Sequence, residues 1–443
     1  MDRRKRFLTT GWISACLGIL ALVTGGCGEA LDERSTVGPG EDITEEFFIG
    51  EGGSGGGGNG GGGNGGNSGP FGRLHYSDLT YQGAFKCPDQ GSMSWAVGAM
   101  AYVPTRNTLV VVGKDAAQNW FEISIPTPVI SPNKSPGDLN TAQDISGWME
   151  VVTPLHTKLG NAKSIGGMTF YNGRFWAGMY EFYNVAGRDN LGLISVDANF
   201  GDHRGAWRVG PAGVDTPAPN VFHANKTHTD VMVIPDQWRD AYTPGKPLAG
   251  GRHRGAGAFG GGKGPALYAF DADINKASGE HQNGVPLMYF KENGAVWPGY
   301  RKADGYHSIW ISSADQQRQT LLVAAKKGLG PNFYGPGPSC NPDKGWHGHP
   351  YEPRLYFIDV NDLGEVARGN LDPWAVQAYE EVMPGDIAWK SPTDAGADPN
   401  CRFDWFRDFA FDEANGRLFA TQPKAYDVPG QSNRMIVHVW QVN

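Results

Sequence analysis

Four short stretches hold the residue types that could do chemistry. In His223-Ala-Asn-Lys-Thr-His228-Thr-Asp230, two imidazoles and a carboxylate are the ligand types of zinc and related metals. Hydrogen bonding to strand edges is the plainer use of such a loop. His347-Gly348-His349 allows the same two readings. Asp304-Gly305-Tyr306-His307 offers a phenol and an imidazole as bases. Arg407-Asp408 is either an ion pair pinning a strand or a ligand contact. A polysaccharide lyase needs a Tyr or His base and a cation that neutralises a uronate carboxylate. Tyr306, His307, His228 and Arg252 supply those types. A glycosidase needs two carboxylates at a set separation, and Asp115, Glu181, Asp304 and Asp408 are available. The glycine-rich run Gly255–Gly264 lacks the Ser or Thr after Lys263 that a phosphate loop requires. No Gly-x-Ser-x-Gly elbow or zinc-protease helix motif occurs, which counts against those hydrolases.

These groups need elements to hold them, and the clearest unit runs from Gly98 to Pro126. Ala99–Tyr102 is short and apolar, and Pro104-Thr105-Arg106-Asn107 is a turn. Leu109–Val112 is continuous and β-branched, as a strand buried on both faces would be. Trp120–Ile125 then alternates up to Pro126, which ends it. The unit recurs with starts near Gly167, Val231, Ser308 and Phe409, at irregular spacing, so insertions fall in loops. Gly147–Val152, Gly205–Val209, Pro286–Phe290 and Trp374–Tyr379 read as outer strands of the first four copies. The fifth has none, and Leu79–Phe85 is expected to supply it from the other end of the domain. The expectation is an all-β, five-bladed propeller at residues 71–443, closed by an N-terminal strand. A sixth blade within 361–407 is the alternative.

In that architecture the loop before the first strand of each blade and the loop after the second lie at one end. That end collects Lys114, Asp115, Tyr180, Glu181, His228, Asp230, Arg252, Tyr306, His307, Lys326, His347, His349, Arg407 and Asp408. Its loops are long, while the first-to-second turns read as short, and long loops on a rigid scaffold are where binding sits. Trp346 and Tyr334 are placed to stack on sugar rings. The expected function is a binding module for a glycan, peptide or partner protein. The alternatives are an extracellular carbohydrate-active enzyme and a structural component of the cell envelope. No cofactor is expected, a structural metal being the alternative, and the head reads as a monomer.

The 443 residues carry a net charge of −8, which argues against nucleic acid as a partner. At the N-terminus, Asp2-Arg3-Arg4-Lys5-Arg6 precedes an apolar run to Val23, too short for a bilayer span. Leu22-Val23-Thr24-Gly25-Gly26-Cys27 resembles a bacterial lipobox, which implies cleavage after residue 26 and a lipid on Cys27. Export to the cell envelope, at the outer membrane or cell surface, follows from it. An ordinary cleaved signal is the alternative. Residues 27–70 are acidic and then almost pure glycine, a flexible tether whose Gly50–Pro70 part reaches about 25 Å. Export permits disulfides. Of Cys87, Cys340 and Cys401, the pair Cys340–Cys401 is expected, with three reduced thiols as the alternative. WAVGAMAYVPTRNTLVVVGKD, GPALYAFDADI, HPYEPRLYFIDVNDL and NGRLFATQ together resemble a group of exported bacterial β-propeller lipoproteins. The resemblance spans most of 79–443 and implies a secreted propeller, and no catalytic residues carry over from it.

Overall fold

A computed structural model describes residues 69–443 except 89–92, 94–95, 115–116, 161, 182–190, 210–229, 252–262, 291–294, 335–345, 391–404 and 430, and the side chains of 431–433. Asp115, His228, Arg252, Cys340 and Cys401 fall outside the described residues. So do the signal, Cys27 and nearly all of the tether.

In chain order, β1 (Gly72–Arg73) and β2 (Leu79–Lys86) come first. β3 (Met100–Val103), β4 (Thr108–Val112) and β5 (Trp120–Ile123) form the first blade. The second holds β6 (Ser164–Tyr171), β7 (Arg174–Tyr180), β8 (Leu193–Asp197) and β9 (His203–Val209). In the third, β10 (Val231–Val233), β11 (Leu248–Gly251) and β12 (Leu267–Phe270) are followed by the short β13 (His281–Gln282), which joins β9, and by the outer strand β14 (Gly284–Met288). The fourth runs β15 (Gly305–Ser312) and β16 (Arg318–Gly328). A hairpin of β17 (Phe333–Tyr334) and β18 (Trp346–His347) is inserted before β19 (Tyr351–Ile358) and β20 (Ala378–Val382). The fifth is β21 (Phe409–Asp412), β22 (Arg417–Val428) and β23 (Gln431–Val442). Neighbouring strands within each blade are antiparallel. The innermost strands neighbour one another cyclically, β3 to β6 to β10 to β15 to β21 and back to β3. The fold is a five-bladed β-propeller.

The apolar cores lie between blades, because each sheet is buried on both faces. In β4, Val110 and Val112 pack toward the second blade with Ile165, Met168 and Ala177. Leu109 and Val111 pack the other way, against Phe419, Val437 and Val439 of the fifth. All four are fully buried. The continuous β-branched run therefore has the structural cause read from it. Cys87 lies in the core shared by the fifth and first blades.

Four expectations are corrected. In the first blade Gly147–Val152 does not form an outer strand; it touches β5 through one bridge, Trp120↔Met149, with a second at Ile123↔Asp144. Between them the Ser146 hydroxyl accepts from Glu122 N at 2.9 Å, and Gly147 takes φ +68°. The Ser146 side chain takes the place of one backbone acceptor, while Ile145 N still donates to Glu122 O at 2.8 Å. In the fourth blade the outer strand begins at Ala378, because 372–375 turn, Ala375 N donating to Asp372 O. In the third it is Gly284–Met288. The first-to-second connection of that blade is also long, and carries the helix Asp236–Tyr242. Trp238 anchors this helix, its indole donating to Val360 O at 2.8 Å.

β2 pairs antiparallel with β23, from Leu79↔Val442 to Lys86↔Ile436, with a bulge between Tyr81 and Gly83. The preceding chain crosses the fourth blade. Asn361 bonds both Phe71 N and Phe71 O, and Arg73 pairs with Asp359 at 2.7 Å. Within the fifth blade, His438 Nε2 meets Gln422 Oε1 and its Nδ1 meets the Tyr81 hydroxyl, both at 2.9 Å. An amide oxygen only accepts, so Nε2 carries the hydrogen and Tyr81 donates to Nδ1. Burial, aided by Lys134, holds this imidazole down at about 3.

We propose that the β2–β23 pairing fastens the ring. Deleting 72–86 would bare an edge of the fifth blade, and the expected result is loss of cooperative melting. Parent-like melting would refute it. His438 gives a pH signature with a defined sign. Between about 3 and the ordinary 6.5, only the unfolded chain protonates it. Its contribution is complete above pH 6.5 and declines as pH falls through that window. The stability difference between wild type and His438→Gln should shrink from pH 7 to pH 4 in denaturant titrations; a constant difference contradicts this.

Candidate functional site

The innermost strand of a propeller blade is a sheet edge. One side pairs with the second strand, and donors on the other side face the channel and need partners from elsewhere. Side chains from the preceding blade supply them here. Asp230, immediately before β10, accepts from Ser308 N of β15 through Oδ2 at 2.8 Å. Asp408, immediately before β21, accepts from Met100 N of β3 through Oδ2 at 2.8 Å. Gln118 Oε1 accepts from Ile165 N of β6 at 2.8 Å. These three contacts latch the third blade to the fourth, the fifth to the first and the first to the second.

Two of the latches meet in one polar cluster. His307 Nδ1 lies 2.8 Å from Asp230 Oδ1, and Arg407 Nη1 lies 3.3 Å from His307 Nε2. Arg407 also donates from Nε to Val97 O at 3.0 Å, so it too ties the fifth blade to the first. The sequence offered Arg407-Asp408 as an ion pair or a ligand contact. Its strand-pinning part is seen, and runs through backbone groups of the next blade. Asp408 is held by β-type pairing with Thr421, whose hydroxyl donates to Gly98 O at 2.7 Å. Gly98 sits at φ +90°, and a Cβ there would come within 2.9 Å of Arg407 Cγ. His307, Asp230, Asp408 and Arg407 are exposed by 0%, 1%, 3% and 7%.

A guanidinium only donates, so Nε2 of His307 accepts and Nδ1 bears the hydrogen directed at Asp230. Burial pulls this imidazole below its usual range; Asp230 opposes the shift, and Arg407 and Lys326 add to it. Burial pushes the Asp408 carboxyl well above the ordinary carboxylate range, with the Asp230 charge adding to it. The environment thus favours a neutral imidazole and a protonated carboxyl side by side. Potential ligand atoms of Asp230, His307 and Asp408 lie within 4.8 Å of one another, a separation one metal ion could bridge. Both ring nitrogens are already engaged, however, and two cationic side chains stand next to them. An ion would have to displace Arg407 or the Nδ1 hydrogen.

Around the cluster, Lys326 Nζ is 4.3 Å from the Tyr351 ring centroid and 5.5 Å from that of Trp405. Trp405 also lies against His307, ring centroids 5.7 Å apart, and 5.5 Å from the Arg407 guanidinium carbon. Lys326 is partly exposed. The register Gly305↔Lys326 puts it beside the start of β15, at the His307 end of that strand.

Tyr306 is corrected as a base. It alternates to the other face of β15, fully buried, and its hydroxyl donates to Asp304 Oδ2 at 3.2 Å. Burial and Asp304 raise its phenol well above 10, so no phenolate forms near neutrality. Asp304 also takes Lys327 Nζ at 2.6 Å and Gly328 N at 2.9 Å, a structural clamp. Lys114 is exposed and bridged to Ala96 through the backbone. Tyr180 ends β7 opposite Ser164, and Glu181 follows it. His347 is buried in the β17–β18 hairpin, and its ring lies 6.1 Å from that of His349, which packs on Tyr351. Trp346 and Tyr334 face each other on this hairpin, with Lys302 over the Trp346 ring. Sequence reasoning missed Trp405. Its signal was alternation, two residues before Arg407 on an extended lead-in.

No family model and no curated protein matches the chain. Among solved structures, a protein of unknown function from Dyadobacter fermentans aligns at 10% identity and TM-score 0.34, over 83% of this chain and 100% of that one. A gluconolactonase from Xanthomonas campestris aligns at 12% identity and TM-score 0.28, over 84% of this chain and 95% of that one. At those scores the likeness carries no argument, and the fold stands on the strand pairing above.

Proposed function

We propose that the chain is an exported, lipid-anchored protein whose propeller binds a carboxylate-bearing glycan at the Asp230–His307–Arg407 end. The observation that carries this reading is the setting of Arg407 and Lys326 beside the rings of Trp405 and Tyr351. Cations recognise carboxylates, and flat rings recognise the apolar faces of sugars. Anchoring through Cys27 and the acidic, glycine-rich tether rest on the sequence alone. The His307–Asp230 pair goes beyond what binding requires.

Two experiments test the reading. Cys27→Ser protein is expected in the soluble envelope fraction, and its retention in membranes would contradict the anchor. In calorimetric titrations, acidic oligosaccharides should bind and neutral glucans should not. Lys326→Ala should weaken that binding about tenfold, equivalent to about 1.4 kcal/mol. Equal affinity for neutral sugars, or unchanged affinity in Lys326→Ala, would contradict the site.

A further inference from the structure

We propose that the β17–β18 hairpin is a second sugar subsite, which stacks one residue of an acidic polysaccharide in the corner between Tyr334 and Trp346. The proposal rests on the acidic-glycan reading and gives it a length. The ligand is a chain of several sugars, with one near Lys326 and another on the hairpin. The register Phe333↔His347 and Tyr334↔Trp346 decides which rings face out. Neighbouring residues on a strand point to opposite faces, so the two pairs lie on opposite sides of the hairpin. Phe333 and His347 form the inner pair, His347 being buried. From it, ring contacts lead back to the first site: His347 to His349, His349 to Tyr351, and Tyr351 to Lys326 Nζ. Tyr334 and Trp346 form the outer pair.

The foot of the hairpin is pinned. Arg301 Nη1 donates to Gly328 O at 3.1 Å and to Gly330 O at 2.6 Å. Leu329 N donates to Pro350 O at 2.8 Å, and Gly330 N to Gly348 O at 3.0 Å. Only glycine fits at 330, because a Cβ there would come within 1.7 Å of His349 O. The same clamp sets the next residue, Lys302, whose Nζ lies 4.4 Å from the Trp346 ring centroid. Tyr334 is 58% exposed, the most exposed Phe, Tyr or Trp among the described residues. A single exposed ring is ordinary on a protein surface; a paired one, on a pinned hairpin beside an exposed ammonium, has the parts of a binding site. The two rings meet at 68° with centroids 5.5 Å apart, so they form a corner and not a flat pile. A pyranose fits such a corner, with its apolar face on one ring and its edge against the other. With the ammonium over Trp346, Tyr334 is the open wall for stacking and Trp346 the charged one. Lys302 supplies the cation that a uronate carboxylate requires. Two rings and one ammonium present far less surface than the roughly 800 Å² that a partner protein covers.

The test titrates the full chain calorimetrically with oligogalacturonates, oligomannuronates and hyaluronan oligosaccharides, each of two and of six sugars. In any series that binds, the six-sugar form should be tighter than the two-sugar form by about tenfold or more. Tyr334→Ala and Trp346→Ala should each weaken the six-sugar form about tenfold and leave the two-sugar form unchanged. Lys326→Ala should weaken both forms. Tyr334→Phe, which keeps the ring, should bind as wild type does. Should Trp346→Ala fail to fold, the exposed Tyr334 decides. Affinity that does not rise with length, or wild-type affinity of Tyr334→Ala for the six-sugar form, would overturn the second subsite while leaving the first in place. Unchanged binding in Lys326→Ala would remove the first site and, with it, the two-site span. Absence of binding in every series would overturn both.

Discussion

The structure depends on satisfying the channel-facing edge of each innermost strand. Each blade keeps a short outer edge, while the five inner edges point at one another across a narrow space. Backbone donors there are buried and costly to leave unpaired, at about 1–3 kcal/mol each. Asp230, Asp408 and Gln118 answer that constraint by reaching from one blade to a backbone N–H of the next. Two of the three are carboxylates, so closing the ring concentrates charge at one end of it. Arg407 and His307 then follow as the groups that make buried carboxylates tolerable.

The residues that serve the architecture are thus also those at the proposed binding end. A carboxyl pushed toward its neutral form and an imidazole held neutral are what burial of a latch produces. They are also what acid–base work near neutrality needs. Trp405 and the partly exposed Lys326 also stand at this end, Trp405 against the His307 ring and Lys326 over the Tyr351 ring. By contrast, the Asp304–Lys327–Tyr306 group is closed on itself and holds the fourth blade's long connection.

Much of the fold was legible because its signals are local. Leu109–Val112 announced a strand covered on both faces, and the turns at Pro104–Asn107 and Asp412–Gly416 set the blade rhythm. The outer strands were harder. They bear the least burial, and in the first blade Ser146 and Gly147 interrupt strand pairing with a side-chain bond and a left-handed residue. For the site, placement at the start of an inner strand put Asp230, His307, Arg407 and Asp408 at one end, and the structure brings these four together. Period-two alternation should have separated Tyr306 from His307, yet both were offered as bases. Gln118 and Trp405 carry no chemical signature in sequence, because their roles come from which blade lies next to them.

The central claim is that His307 is a neutral, Asp230-oriented imidazole at the end of the propeller proposed to bind a carboxylate ligand. Nitrogen-15 spectra of histidine-labelled protein, assigned with His307→Gln, measure this directly. At pH 7 the account predicts a hydrogen on Nδ1, a lone pair on Nε2, and a shift of the Nε2 resonance when an acidic oligosaccharide is added. An imidazolium at pH 7, the opposite tautomer, or an Nε2 signal indifferent to every acidic sugar would contradict it.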